Sequence, residues 1–185
     1  MPNSMSCLRA LSISDRLVLA NIPKRYFTPD RERLLRAVPV IYDTYVKFVD
    51  EWLLYGSKLV AIRGAAKAGK TSVATGIMIE IITRHYDANE RETNPFLYVN
   101  APSAFAEIAR TRFVEPNLNS RMAEAGLLII DNIHMLDVRD VAKLCVLVMQ
   151  RCDEQKSTIV TMTPTFDTND VSFQQNVLEG RIVIL

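Results

Sequence analysis

Residues Gly64-Ala65-Ala66-Lys67-Ala68-Gly69-Lys70-Thr71 have the spacing GxxxxGK[ST] of a phosphate-binding loop. Gly64 and Gly69 let the backbone curl until successive amide N–H groups point inward at phosphate oxygens. The start of the following helix adds its partial positive charge. In such a loop Lys70 reaches the β- and γ-phosphates and the Thr71 hydroxyl ligates magnesium. With Ser72 on the next turn, Gly64, Ala65, Ala66, Lys67, Ala68, Gly69, Lys70 and Thr71 form the candidate nucleotide-binding set. The implied ligand is a nucleoside triphosphate with its divalent ion.

A second signal is Leu127-Leu128-Ile129-Ile130-Asp131, four apolar residues ending in a carboxylate. Beside a phosphate loop, this places Asp131 at the carboxyl edge of a central strand, holding magnesium directly or through water. ATPases of this architecture commonly carry an acid at the next position to activate water, and here it is Asn132. An amide orients water but accepts no proton, and loss of a general base costs about 10²–10⁴ in rate. Hydrolysis is therefore expected to be slow unless another carboxylate such as Asp137 substitutes. Alternatively, Asn132 only shapes a turn.

Two further positions depend on topology. If the β-branched stretch Thr158 to Thr163 inserts between the Lys58 and Leu127 strands, Thr163 or Thr161 sits near the γ-phosphate, where a hydroxyl reports its presence. The alternative is a capped strand end. Arg181, just before Ile182-Val183-Ile184-Leu185, is either a solvent-facing strand start or a finger projecting into a neighbouring subunit's nucleotide.

Several elements must position these groups. Strands are expected at Lys58–Arg63, Phe96–Asn100, Leu127–Asp131, Thr158–Thr163 and Ile182–Leu185. Helices are expected at Lys70–Tyr86, Ser103–Phe113 and Val138–Asp153, the last with Val138, Val141, Cys145, Val148 and Cys152 on one side. Strands separated by helix-length connections imply a parallel sheet covered on both faces, which binds ligands at the carboxyl ends of its strands. Upstream, Thr28-Pro29-Asp30 has the form of a helix start and Pro39 of an interruption. Ile41, Tyr45, Phe48, Trp52 and Tyr55 trace a helical face that stops at Gly56.

Composition narrows the function classes. The 185 residues, 49% hydrophobic and 23% charged, suit one domain with its own core. Lys and Arg number 22 against 21 Asp and Glu, so a strongly basic nucleic-acid coat is excluded. Any DNA contact must come from a local patch or an assembly. Cys7, Cys145 and Cys152 form no CxxC, and His85 and His134 lie far apart. Neither a disulfide framework nor a structural zinc site is expected, and a reducing cytoplasm fits. The apolar runs are too short for a bilayer, and Arg9, Asp15 and Arg16 break up any signal-peptide core, so no membrane association is expected.

From Leu17 to Leu185 the chain resembles the AAA+ domain of the DnaC-type bacterial helicase loaders, with the IstB-type transposition helpers as close relatives. The resemblance rests on Ala20-Asn21-Ile22-Pro23-Lys24-Arg25-Tyr26, similar to the family's "GIP-K-R-Y", and on the phosphate loop, Leu127 to Asp131 and Gln150-Arg151. It continues through Thr158 to Thr163, where the family has "TIITSN", and Leu178-Glu179-Gly180-Arg181-Ile182, similar to "ERI-x-SRL". It implies an α/β fold, the three-layer sandwich of a P-loop NTPase of AAA+/ASCE type. The parallel five-stranded sheet would have the order 5-1-4-3-2, with no C-terminal lid domain. It further implies ATP and Mg2+ as cofactors, ATP hydrolysis, self-association into a ring or spiral, single-stranded DNA in the pore and a replicative helicase as partner. By the same resemblance Thr163 is the γ-phosphate sensor and Arg181 the finger. Lys70, Asp131 and Asn132 complete the catalytic set, with Thr71 and Asp131 as the metal set.

Asn132 for the acid and Thr163 for the sensor asparagine depart from the family pattern. The family's helicase-binding domain lies upstream of its ATPase core. Here residues 1–27 form the short segment available for partner contact, and residues 28–185 the AAA+ ATP-binding domain. The candidate DNA surface is Arg110, Arg112, Phe113 and Arg121, near Arg84 and Tyr86, where arginines beside an aromatic hold phosphates and stack a base. The alternative is a solvated helix face with Phe113 buried, which Glu107 and Glu115 favour. Two functions follow: a loader-type ATPase, or a nucleotide-gated adaptor with little hydrolysis that recruits a transposase. A small-molecule kinase is disfavoured, because its phosphate loop would lie near the N-terminus and a lid would follow.

Overall fold

Strand residues sort by parity onto two faces, as a pleated strand covered on both sides requires. Val60, Ile62, Phe96, Tyr98, Leu127, Ile129 and Ile159 face one core. Leu59, Ala61, Leu97, Val99, Leu128, Ile130, Val160 and Met162 face the other. The computed structural model describes residues 12–27, 59–84, 96–110, 117–166 and 181–184. Five strands run through them: β1 Leu59–Arg63, β2 Phe96–Asn100, β3 Leu127–Asp131, β4 Ser157–Met162 and β5 Arg181–Ile184. All pair in parallel in the order β2-β3-β4-β1-β5, the 5-1-4-3-2 arrangement anticipated above.

Helix α1, Ile13–Leu19, and α2, Lys70–Arg84, cover the first face; α3, Ala101–Arg110, α4, Leu118–Glu124, and α5, Val138–Asp153, cover the second. The layers are therefore helix, sheet, helix. Because β4 lies between β1 and β3, the chain leaves β1 and β3 on adjoining tracks, and the loops after them share one edge of the sheet.

Strands 96–100 and 127–131 and helix 138–153 have the expected bounds. Four details differ, one of them the start of β5 at Arg181 where Ile182 was expected. Strand β4 begins at Ser157 and stops at Met162, leaving Thr163 outside the ladder. Helix α3 starts at Ala101, directly after β2. Val138 is 86% exposed: it sits in the first turn of α5, and the buried face is carried by Leu144, Cys145, Leu147, Val148 and Arg151. The expected helices around Thr28 and Val40–Gly56 lie outside the described residues. Among the described residues no helix is long and apolar enough to cross a membrane.

Helix α1 was not expected. Its start is a capping box, in which the Ser12 hydroxyl accepts from the Asp15 N–H at 3.2 Å and the Asp15 carboxylate accepts from the Ser12 N–H at 3.0 Å. Leu17, Ala20 and Ile22 then enter the first core, and the Tyr98 N–H of β2 donates to the Ala20 carbonyl at 2.7 Å.

The second face is fastened by Arg151, which is 0% exposed. Its guanidinium donates to the Met122, Ala123 and Ala125 carbonyls at the end of α4, to the Ser157 carbonyl and to the Thr158 hydroxyl. Burial brings its pKa down to about 10, yet it remains charged at neutral pH. The three acceptors on α4 are carbonyls at the helix end, and the partial negative charge of that end suits a cation. Arg151→Ala would leave several buried carbonyls without donors, each costing about 1–3 kcal/mol. We expect Arg151→Ala to lower stability by about 3 kcal/mol or more in urea unfolding, with Arg151→Lys, which has fewer donors, in between.

Candidate functional site

The phosphate loop leaves the sheet where β1 ends, and the Gly64 N–H still donates to the Met162 carbonyl of β4 at 3.2 Å. At Gly69 the backbone takes φ +92°, which strains any side chain, and the chain turns directly into α2 at Lys70. The N-terminal end of a helix of 15 residues thus faces the loop's hollow. The Lys70 ammonium donates to the Gly64 carbonyl at 2.9 Å and the Ala65 carbonyl at 2.7 Å, which holds it over the loop.

Strand β3 brings Asp131 to the same place. The Thr71 hydroxyl lies 2.9 Å and 3.0 Å from its two carboxylate oxygens. The sequence-separated phosphate loop and acidic strand tip therefore converge. Asp131 is 2% exposed and also accepts from the Tyr98 hydroxyl at 2.9 Å, the Asn132 amide at 3.0 Å and the Thr161 hydroxyl at 2.5 Å. Burial, and then the Asp131 charge, push the Tyr98 pKa well above the usual tyrosine value, so the phenol keeps its proton and remains a donor.

A cavity of about 330 Å³ opens in front of this cluster, lined by Tyr26, Lys67, Lys70, Thr71, Asn132, His134 and Thr163 among others. Of the two candidate threonines, Thr163 faces the cavity. Thr161 lies behind it and is committed to the Asp131 carboxylate and the Asn132 N–H. Ala66, Gly69 and Ser72 also line the cavity. Ala68 lies on the loop's turn, its N–H donating to the Ala65 carbonyl at 3.2 Å.

The donor set fits magnesium. The Thr71 hydroxyl gives its proton to a carboxylate, which leaves oxygen lone pairs for a hard cation. Magnesium uses one or two such protein oxygens and takes the rest from water and phosphates. Thr71 would be the direct ligand, with Asp131 behind it through the hydroxyl or water. Among the described residues no cluster of three or more His, Cys, Asp or Glu offers an all-protein metal cage.

Asn132 has φ 64° and ψ 42°, in the left-handed region where asparagine is favoured over glutamate. Its amide turns back onto Asp131. Asp137 does not line the cavity; its carboxylate caps α5, accepting from the Asp140 N–H at 2.8 Å.

The structure separates the remaining candidates. Arg181 is the first residue of β5 and pairs with Val60, three residues short of Arg63, where β1 reaches the loop. Arg110 is exposed at the end of α3. Arg121 lines a groove of about 760 Å³ with Asn21, Lys24, Asn100, Ser103 and Glu107. Arg112, Phe113 and Tyr86 lie outside the described residues, and Arg84 is paired with Glu80 at 3.0 Å. Sequence reasoning missed Tyr98 and His134. Nothing marks Tyr98 in the sequence, whereas His134 lies three residues past the strand-tip acid and so within reach of the cavity.

The strand order and the helix–sheet–helix layers are those of the P-loop AAA+ fold. No protein-family model matches the sequence, and no curated protein does. Among solved structures, the chain is similar to a DNA replication initiation factor (TM-score 0.69, 13% identity), covering 89% of this chain and 50% of that one. It is also similar to the DnaC helicase loader (TM-score 0.65, 15% identity), covering 88% of this chain and 99% of that one. A third similar structure is the replication initiator DnaA bound to AMPPCP and single-stranded DNA (TM-score 0.57, 15% identity; 75% and 44% covered). The chain thus spans about half the length of the first of these.

Tyr98→Phe would remove one donor from a buried carboxylate, at a cost of about 1 kcal/mol near neutral pH. A raised pKa in the folded state gives stability that is complete below the free-tyrosine value of about 10 and lost as pH rises above it. Urea unfolding of both proteins from pH 7 to 11 should therefore show a gap that closes above about pH 10.

Proposed function

We propose that this chain is an ATP-dependent, helicase-loader-like AAA+ protein. It assembles with ATP and Mg2+ into a ring or spiral on single-stranded DNA in the cytoplasm and helps deliver a replicative helicase during DNA replication. The observation that carries this reading is the hydrogen bond between Thr71 and Asp131, which joins phosphate loop and acidic strand tip inside a sheet of AAA+ order. The similarity over nearly the whole length of a helicase loader supports it, as does the nucleotide and single-stranded DNA bound by the similar initiator.

In this reading the loop from Gly64 to Ser72 holds the triphosphate, with Lys70 on the β- and γ-phosphates. Thr71 and Asp131 hold magnesium, which when bound neutralises phosphate charge. Thr163 senses the γ-phosphate, and Arg181 acts in trans on a neighbour's nucleotide. Arg110, Arg112, Phe113 and Arg121 contribute to the DNA surface, and residues 28–185 supply the ATP-binding site. Residues 1–27 contribute to partner contact from a segment whose Leu17, Ala20 and Ile22 are packed into the domain's first core. Hydrolysis is slow because Asn132 cannot accept a proton.

The mass in solution, measured by light scattering, should rise only when ATP and single-stranded DNA are both present. A hexameric replicative helicase should retain the chain in an ATP-dependent pull-down. Failure to associate with any replicative helicase overturns the loader reading.

The second reading, a nucleotide-gated adaptor such as a transposition helper, is favoured by one observation: the Asn132 amide is spent on Asp131. Turnover separates the two. The natural chain should hydrolyse ATP slowly and Asn132→Glu faster, though strain at a left-handed position costs about 1–2 kcal/mol. Efficient hydrolysis by the natural chain eliminates the pure switch.

A further inference from the structure

The position after Asp131 lacks its acid, and the structure offers another group in the same cavity. After Asn132 the left-handed backbone throws the chain into a short 3₁₀ turn, Ile133–Met135. Ile133 is fully buried in the second core and anchors that turn. The next residue, His134, is thereby held against the cavity, with Lys70, Thr71, Asn132 and Thr163 lining the same space. Its Nδ1 is buried and has no hydrogen-bond partner among the described residues. A buried polar atom without a partner is uncommon in native folds, so through Nδ1 the ring is not spent on a structural hydrogen bond.

We propose that His134 is the residue that holds the attacking water against the γ-phosphate, the task Asn132 has given up. The proposal rests on the ATPase reading above. The Asn132 amide beside His134 already donates to Asp131, and the Asp137 carboxylate lies outside the cavity, capping α5. Thr163 supplies a hydroxyl but no nitrogen acceptor.

The charged groups around His134 favour this role. Burial and the Lys70 charge lower its pKa below the usual histidine value, while Asp131 acts weakly the other way. The ring is therefore neutral at physiological pH, and a neutral imidazole accepts a hydrogen bond where an imidazolium cannot. A water hydrogen-bonded to His134 would share the cavity with the γ-phosphate bound by Lys70. Orientation of this kind is worth about 10²-fold in rate when lost.

The test separates His134 from the ATPase reading itself. Binding of ATP and Mg2+, measured by calorimetry, should remain within about threefold in His134→Ala and His134→Gln, while single-turnover hydrolysis should fall about 10²-fold in His134→Ala. His134→Gln, which retains a hydrogen-bonding side chain, should recover part of that loss. An independent readout is available because the chain has only two histidines, His85 and His134. The ring signals missing from the His134→Gln spectrum identify His134 by NMR. They should shift on adding Mg2+ with a non-hydrolysable triphosphate analogue and move much less with ADP. Unchanged hydrolysis in His134→Ala, or ring signals indifferent to the third phosphate, overturns the proposal while leaving the ATPase reading standing. Absence of ATP binding by the natural chain overturns both.

Discussion

A buried carboxylate needs partners for its lone pairs, and Asp131 meets that demand with four donors from separate parts of the chain. Tyr98 comes from β2, Thr161 from β4, Thr71 from α2 and Asn132 from the turn after β3. Each donor must be held in place, so the carboxylate fixes the relative positions of three neighbouring strand ends and the phosphate loop. The geometry of the cavity is therefore set by the protein's own groups. Strand order makes this possible, since β4 between β1 and β3 carries Thr161 beneath both loops.

The two helical layers are fastened differently. On the face of α1 and α2 the core is almost wholly aliphatic and aromatic. On the other face, the end of α4 meets the beginning of β4 and leaves carbonyl oxygens pointing inward. There Arg151 supplies five donor contacts where an apolar side chain would leave those oxygens unsatisfied. Gln150-Arg151 contributes to the resemblance with the helicase loaders. The structure shows that its arginine has a structural role, far in chemistry from the phosphate cavity.

Much of this architecture was legible because several physical signals coincided. The strands Phe96–Asn100 and Leu127–Asp131 are uninterrupted apolar runs, as expected where both faces are covered, and the phosphate loop declares its own geometry through Gly69. Helix α1 was missed because its capping box begins with Ser12 and ends on an aspartate. Its buried residues, moreover, are only Arg16 and Leu17. Helix α4 was missed because its seven residues bury only Leu118 and Met122, too few to show a period. Tyr98 was unreadable for a different reason. Its apolar strand context is satisfied by the ring, and only the fold reveals that its hydroxyl reaches an acid 33 residues away. For Thr161 and Thr163 the sequence left the choice open; in the fold Thr163 lines the cavity while Thr161 is bonded to Asp131 and the Asn132 N–H.

The bond between the Tyr98 N–H and the Ala20 carbonyl, with the Asn21 amide donating to the Tyr98 carbonyl at 3.1 Å, has a further consequence. Among the described residues β2 is the outermost strand on its side, and a bare margin there would be a template for a foreign strand. The segment around Ala20 and Asn21 occupies part of that margin without forming a strand itself. It works as a stopper: proteolytic trimming past Asn21 would uncover donors and acceptors that another polypeptide could zip onto. Loss of the leading segment thus threatens the colloidal behaviour of the protein before it touches the nucleotide cavity.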